Sequence, residues 1–261
     1  MEGDALMSRH VVSMTIDDVE HYTAEDKARI IASYPPHERE ARTKGIPTMG
    51  SGKVFPVEEE RIKCDPIAIP KHWPQIVGVD FGVDHPFAAA RIAWDRDSDC
   101  VYVTHGYRQR GGFENGEWTG NPAYHATTIR GWGTWIPISW PHDGLAQDRK
   151  SGDRLADIYR AHGINMLPER ATHLDGQNGV EAGLMDMLER MQTGRFRVFS
   201  TVGDFFEEMR LYHRKDGKLV KERDDLISAV RYAVMMLRFA ETEPNEIEWS
   251  GNPVGADWMG S

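Results

Sequence analysis

The chain has 261 residues, of which 40% are hydrophobic and 28% charged, enough for one large domain with a sizeable core. That excludes a small stapled scaffold and a fully disordered chain. Forty-one acidic residues against 31 basic ones give a net charge of -10, a field that repels nucleic acid unless basic side chains are segregated. The two cysteines, Cys64 and Cys100, lack Cys-x-x-Cys spacing, which excludes a disulfide framework and a cysteine zinc site. With neither a secretory leader nor a run approaching the roughly 20 apolar residues of a membrane span, the sequence reads as soluble and cytoplasmic.

Residues 1–73 read as an approach segment rather than a core. Ser13 to Glu20 carries a short β-like run ending in Asp17-Asp18, and Thr23 with Asp26 forms a capping-box pattern opening a helix that must end before Pro35-Pro36. Gly50-Ser-Gly-Lys53 imitates the end of a phosphate-binding loop. It fails the test, because Pro47 and Val54 stand where a glycine and a hydroxyl residue are needed.

From Gln75 the pattern becomes regular. Ile76 to Phe81, Ala88 to Trp94 and Cys100 to Tyr107 read as three strands, and their short links imply an antiparallel meander. Asn121-Pro122 starts a helix predicted to reach about Trp135, and Ile136 to Trp140 is a short strand ending in Pro141-His142-Asp143. Ser151 caps a helix ended by Gly163, and Ile164 to Leu167 is another strand. Gly179 to Met191 is a helix closed by Gly194, Phe196 to Phe199 a strand, and Val202 to Tyr212 a helix. Asp216-Gly217 marks a tight hairpin. The last helix starts at Asp224-Asp225 with Leu226, Val230, Ala233, Val234 and Leu237 on one face. Residues 74–240 therefore read as the domain and 241–261 as a flexible tail, in which Trp249 and Trp258 mark a candidate partner-binding segment.

Three carboxylates stand at element ends where one cleft could gather them: Asp80 in the first buried strand, Asp143 after the fourth, and Asp224 or Asp225 opening the last helix. An acid between Val79 and Phe81 on a core strand pays several kcal/mol of desolvation unless a cation or hydrogen bonds compensate. Hard Mg²⁺ or Mn²⁺ ions prefer oxygen ligands, and two of them about 3.5–4 Å apart stabilise both oxygens of a phosphodiester displacement. Without the metals, mutual repulsion would raise one carboxyl pKa or open the site. His142 and Asp84 are accessory candidates, the latter with His85 in a loop following Asp80. Periodicity does not choose between Asp224 and Asp225.

The runs Ile76-Val-Gly-Val-Asp-Phe-Gly82, Ile138-Ser-Trp-Pro-His-Asp-Gly144 and Arg214 to Ala233 resemble the nuclease domain of tailed-phage terminase large subunits, and Ser33 to Gly45 resembles the stretch that joins ATPase and nuclease parts in that family. The resemblance implies an α/β, ribonuclease H-like fold with a mixed central sheet: an antiparallel three-strand meander, then alternating strands and helices. It implies an endonuclease that cuts concatemeric double-stranded viral DNA during packaging in the host cytoplasm, with two Mg²⁺ or Mn²⁺ ions. It maps the metal-binding acids to Asp80, Asp143 and Asp225. Many members place a further acid before the alanine of the last motif; here Ser228 precedes Ala229, so the third ligand stays open between Asp224 and Asp225. The implied partners are an N-terminal packaging ATPase domain, expected to be missing from this chain and joined to the nuclease by the segment 1–73, the small terminase and the portal.

Two basic groups answer the acidic net charge. Arg210, Arg214, Lys215, Lys218, Lys221 and Arg223 form a basic hairpin beside the cleft, and Arg149, Lys150 and Arg154 lie just beyond Asp143. Both read as sequence-independent phosphate contacts. Three other readings remain: a resolvase or transposase of the same fold, a phosphotransferase of the actin and sugar-kinase type suggested by Asp80-Phe-Gly82, and a docking module without activity.

Overall fold

The computed structural model describes residues 15–19, 21–33, 43, 52–82, 86–109, 113–114, 117–118, 121–147, 152–215, 218–221 and 223–244. The first helix, α1 (Ala24–Ser33), opens on the expected box: the Thr23 hydroxyl donates to Asp26 at 2.7 Å and the Asp26 N–H donates back at 3.2 Å. Of the β-like run before it, the described residues 15–19 form a 3₁₀ turn over Ile16–Asp18. The Asp18 carboxylate takes the Thr15 N–H at 2.7 Å and its hydroxyl at 3.0 Å, and such local side-chain bonds compete with a strand ladder.

The body of the domain begins before residue 74. Val54, Phe55 and Val57 are buried, the short helix α2 (Glu59–Ile62) buries Ile62, and β1 (Lys63–Cys64) is the edge strand of the main sheet. The break expected at 73/74 missed this, because two-residue strands carry no periodic signal. Phe55→Ala should lower the unfolding free energy by about 3–5 kcal/mol, the cost of emptying a fully buried phenyl site. Urea unfolding checks it; a change under about 1 kcal/mol would put this segment outside the cooperative unit.

Six strands form the sheet. β2 (Gln75–Asp80), β3 (Phe87–Asp95) and β4 (Cys100–Gln109) make the antiparallel meander the sequence implied. β7 (Ile138–Ser139) runs parallel to β2, and β8 (Phe196–Phe199) parallel to β4, giving the order β1-β8-β4-β3-β2-β7. Two further two-residue strands, β5 (Phe113–Glu114) and β6 (Glu117–Trp118), pair with each other. The strand expected at Ile164 to Leu167 is one parallel bridge, Met166 to Ile138.

The helices fit the sequence pattern with two adjustments. α3 (Pro122–Arg130) has Asn121 at its N-cap, its side chain accepting the Tyr124 N–H at 2.9 Å, but it ends well before Trp135. Gly131-Trp-Gly133 stops it, and Gly133 takes φ 141°, closed to other residues. α4 (Leu155–Ala161) begins after Arg154, while its expected cap Ser151 lies outside the described residues. α5 (Val180–Thr193) closes on a left-handed Gly194, φ 79°. After it come α6 (Gly203–Leu211), the hairpin β9 (Arg214–Lys215) and β10 (Lys218–Leu219), and α7 (Asp225–Met235). The segment read as tail from 241 is held at its start: Glu241 and Gln75 exchange backbone hydrogen bonds at 2.7 and 3.1 Å. Trp249 and Trp258 lie outside the described residues.

α7 determines where the site forms. Residues paired across strands share a sheet face, so Gly78, Ala90 and Gly106 line up in one row and Asp80, Ala88 and Arg108 in the next. The first row is a trough of small residues. A Cβ on Gly78 would lie 1.9 Å from the Ala229 carbonyl oxygen and 2.7 Å from the Ala233 nitrogen, so α7 rests directly on the β2 backbone. On the opposite face Phe87 stacks on His125 and Tyr159, with ring centroids 4.0 and 5.6 Å away, and Phe81 meets Tyr159 at 5.0 Å. His125 Nδ1 and the Tyr159 hydroxyl lie 2.8 Å apart within that cluster.

Candidate active site

Three elements deliver the acids. β2 and β7 are parallel neighbours, so their carboxyl-terminal ends open on the same edge, with Asp80 closing β2 and Asp143 in the 3₁₀ turn His142–Leu145 just after β7. Gly144 fixes that turn. A Cβ there would come 2.4 Å from the Trp140 ring and 2.8 Å from the Phe81 ring, so the turn packs flat on both and leaves Asp143 and His142 exposed. The trough under α7 brings its first residues over the row that ends in Asp80.

Electrostatics link Asp80 to the two acids that open α7. Burial, then repulsion from Asp225 and more weakly from Asp224, pushes the Asp80 carboxyl up to about 6, against the Gly82 N–H and the Arg231 guanidinium. Asp80 and Asp143 both act on the half-buried Tyr232 phenol, whose pKa is raised chiefly by burial. Tyr232 also joins α7 to β7, its carbonyl accepting the Ser139 hydroxyl at 2.8 Å. The acids thus share one electrostatic neighbourhood. Among the described residues, however, no three His, Cys, Asp or Glu side chains are grouped closely enough to hold a metal ion.

Asp224 and Asp225, equivalent in sequence, differ in surroundings. Asp224 is the residue before α7 and hydrogen-bonds the buried Tyr212 hydroxyl, whose pKa lies above its ordinary range first through burial and then through that acid. Asp225 is the first residue of α7 and is buried, and its Oδ2 lies 3.6 Å from Arg108 Nε. The donor set fits hard divalent ions: it is all carboxylate, and Asp80 within it carries repulsion that an added cation would relieve.

Four side chains near these acids escaped the sequence reading: Arg108, Glu208, Tyr212 and Arg231. Arg231 is buried, stacks 4.3 Å from the Tyr232 ring and stands as a fixed positive charge near Asp80. Its signal was legible, an arginine among Ile227, Val230 and Val234 on an apolar helix. So was that of Glu208, set between Phe205 and Met209 at buried helical spacing.

The basic candidates separate likewise. Arg210 is tied to Glu59 by two bonds, 2.6 and 3.1 Å, and Arg214 to Glu181 by two, 2.8 and 2.5 Å. Lys215, Lys218, Lys221 and Arg154 are exposed. Asp84, His85, Arg149, Lys150 and the turn residues Asp216 and Gly217 lie outside the described residues.

Comparison with known proteins agrees with this architecture. Residues 77–237 match the family described as Terminase RNaseH-like domain, and residues 5–62 match that described as Terminase large subunit, T4likevirus-type, N-terminal. The terminase large subunit of Salmonella phage P22 is 48% identical over 234 residues, 89% of this chain and 45% of the phage protein. That of Enterobacteria phage LP7 is 47% identical over 230 residues, 88% of this chain and 47% of its own length. The chain therefore spans about half the length of the curated relatives it matches. The structure of the P22 large terminase nuclease domain superposes with a TM-score of 0.66 at 41% identity, covering 75% of this chain and 97% of that one. A large terminase from a thermophilic bacteriophage, at 16% identity and TM-score 0.56 over 87% of this chain and 55% of its own, shares the fold. With a family match across most of the sheet and nearly half of the aligned residues identical to the P22 protein, the chain belongs to the terminase large subunit family and carries its RNaseH-like domain.

Proposed function

We propose that this chain is a divalent-metal-dependent endonuclease that cuts concatemeric double-stranded viral DNA during genome packaging in the host cytoplasm. The observation that carries the reading is the charge at Asp80: a half-buried carboxyl repelled by Asp225 and Asp224 at the shared edge of two parallel strands. Asp80, Asp143 and Asp225 would hold two Mg²⁺ or Mn²⁺ ions. Asp224, hydrogen-bonded to Tyr212, supports the site from the side. Such ions supply positive charge against both the attacking and the leaving oxygen of a phosphodiester. The chain's own part is to orient the carboxylates, through the Gly144 turn and the α7 trough, and to present phosphate contacts. His142 and Asp84 are accessory to this set. The segment before the domain connects it to a packaging ATPase, and the small terminase and portal are its assembly partners.

The test is cleavage of plasmid DNA by the 261-residue chain in Mn²⁺ and in EDTA. Cutting in Mn²⁺ that EDTA abolishes supports the reading. Absence of cutting under both conditions supports a docking module with no activity of its own.

Grip on DNA falls to the exposed lysines. Changing Lys215, Lys218 and Lys221 together to Ala should weaken DNA binding uniformly across sequences and lower the slope of log affinity against log salt by about 3. Arg149, Lys150 and Arg154 offer a second group, and Arg214, tied to Glu181, contributes less. Fluorescence anisotropy with two unrelated duplexes over a salt series reads both quantities. An unchanged slope would remove the hairpin from the interface.

A further inference from the structure

The site contains a closed circuit of side chains that the acids alone do not explain. Arg108 sits at the carboxyl-terminal end of β4, in register with Ala88 and through it with Asp80. Its Nε faces Asp225 Oδ2 at 3.6 Å and its Nη1 faces Glu208 Oε1 at 3.4 Å. The other Glu208 oxygen, Oε2, accepts the Ile227 N–H at 2.9 Å, in the first turn of the helix that Asp225 opens. Glu208 comes from α6, and its side chain is fully buried. The loop therefore runs from Asp225 to Arg108, to Glu208, and back to α7 two residues further on.

Such a circuit does two physical jobs. Glu208 caps the amino end of α7 from another helix, satisfying an N–H that the helix itself cannot, while burial pushes its own carboxyl up to about 8 against that N–H and the Arg108 guanidinium. Its Oε1 also faces Arg108 Nη1, so the guanidinium is fixed in direction between Glu208 and Asp225. A planar fork suits this, since its nitrogens point along fixed axes toward two different carboxylates.

We propose that Arg108 and Glu208 are a positioning pair for the third metal ligand, orienting Asp225 so that it can join Asp80 and Asp143 in holding a divalent ion. This rests on the reading of the acids as a metal site. Partners that orient a ligand carboxylate contribute about 10- to 100-fold in metal affinity.

The test is Mn²⁺ binding to the full chain by isothermal titration, with the electron paramagnetic resonance signal of the bound ion as a second readout and circular dichroism to monitor folding. Arg108→Ala should weaken Mn²⁺ binding at least about 10-fold, and Arg108→Lys should recover only part of it, because one ammonium cannot face both carboxylates along fixed axes. Glu208→Gln keeps an acceptor for the Ile227 N–H, so the helix cap survives, but it turns an amide NH2 toward Arg108 and removes the contact that fixes the guanidinium's direction; binding should again fall about 10-fold. The double variant should be no weaker than Arg108→Ala alone, as expected of residues acting as one unit. Unchanged Mn²⁺ affinity in folded Arg108→Ala or Glu208→Gln, or losses that simply add in the double variant, would overturn the pair. If Asp225→Asn loses Mn²⁺ binding while the pair variants keep it, the metal site stands and this proposal falls. If the unaltered chain binds no Mn²⁺, both fall.

Discussion

Asp80→Asn should lower Mn²⁺-dependent DNA cleavage by about 1000-fold or more, roughly 4 kcal/mol of transition-state stabilisation, while making the metal-free chain more stable above about pH 6. The two effects have one cause. Burial and the neighbouring acids raise the Asp80 carboxyl from its ordinary 3.8 to about 6, so between those values the folded state binds more protons than the unfolded one. Stability of the metal-free chain then falls as pH rises through this window, by up to roughly 3 kcal/mol once Asp80 is ionised. Asn keeps the shape, removes the charge and abolishes that loss. Thermal unfolding in EDTA at about pH 5 and about pH 8 reads the stability arm, and plasmid nicking in Mn²⁺ reads the activity arm. An Asn variant with the pH dependence of the parent would show that Asp80 is not under strain, and one that still cuts at the parental rate would remove Asp80 from the reaction.

Gly78→Ala should destabilise the fold by about 3 kcal/mol or more, lowering the melting temperature by roughly 6–12 °C. An added methyl would meet the Ala229 carbonyl oxygen at 1.9 Å and the Ala233 nitrogen at 2.7 Å. Both are backbone atoms of one helix and cannot turn aside as a flexible side chain would, so α7 must lift from β2. Lifting α7 also carries Asp225 away from Asp80, so Mn²⁺ affinity should fall with stability. Gly203→Ala is the matched control. It too lies at a helix, nothing stands within 4 Å of its added Cβ, and the change should be neutral or stabilising by about 0.5–1 kcal/mol. Equal melting temperatures for the two variants would mean that the close approach of α7 is not what holds the sheet and the site together.

The sequence was most legible where period and punctuation agree. The three meander strands, the Thr23–Asp26 box, the Asn121 cap, the Gly194 stop and the basic hairpin all appear within a few residues of their expected places. It failed where a segment is short or held by distant partners. β1 and the pairing of Glu241 with Gln75 exist only because the sheet supplies an edge, and no local pattern announces that.

By itself the sequence determined the candidates: acids at 80, 143, 224 and 225, each at an element end, and a mixed α/β order that matches the ribonuclease H-like fold of the terminase family. Tertiary structure alone decided how those acids differ. Asp224 and Asp225 flank the same helix start and are indistinguishable by periodicity, yet the first meets the Tyr212 hydroxyl and the second the Arg108 guanidinium. The reason is physical: side-chain type and spacing fix what a group can bind, whereas the charge and dielectric around it come from strands and helices far away along the chain.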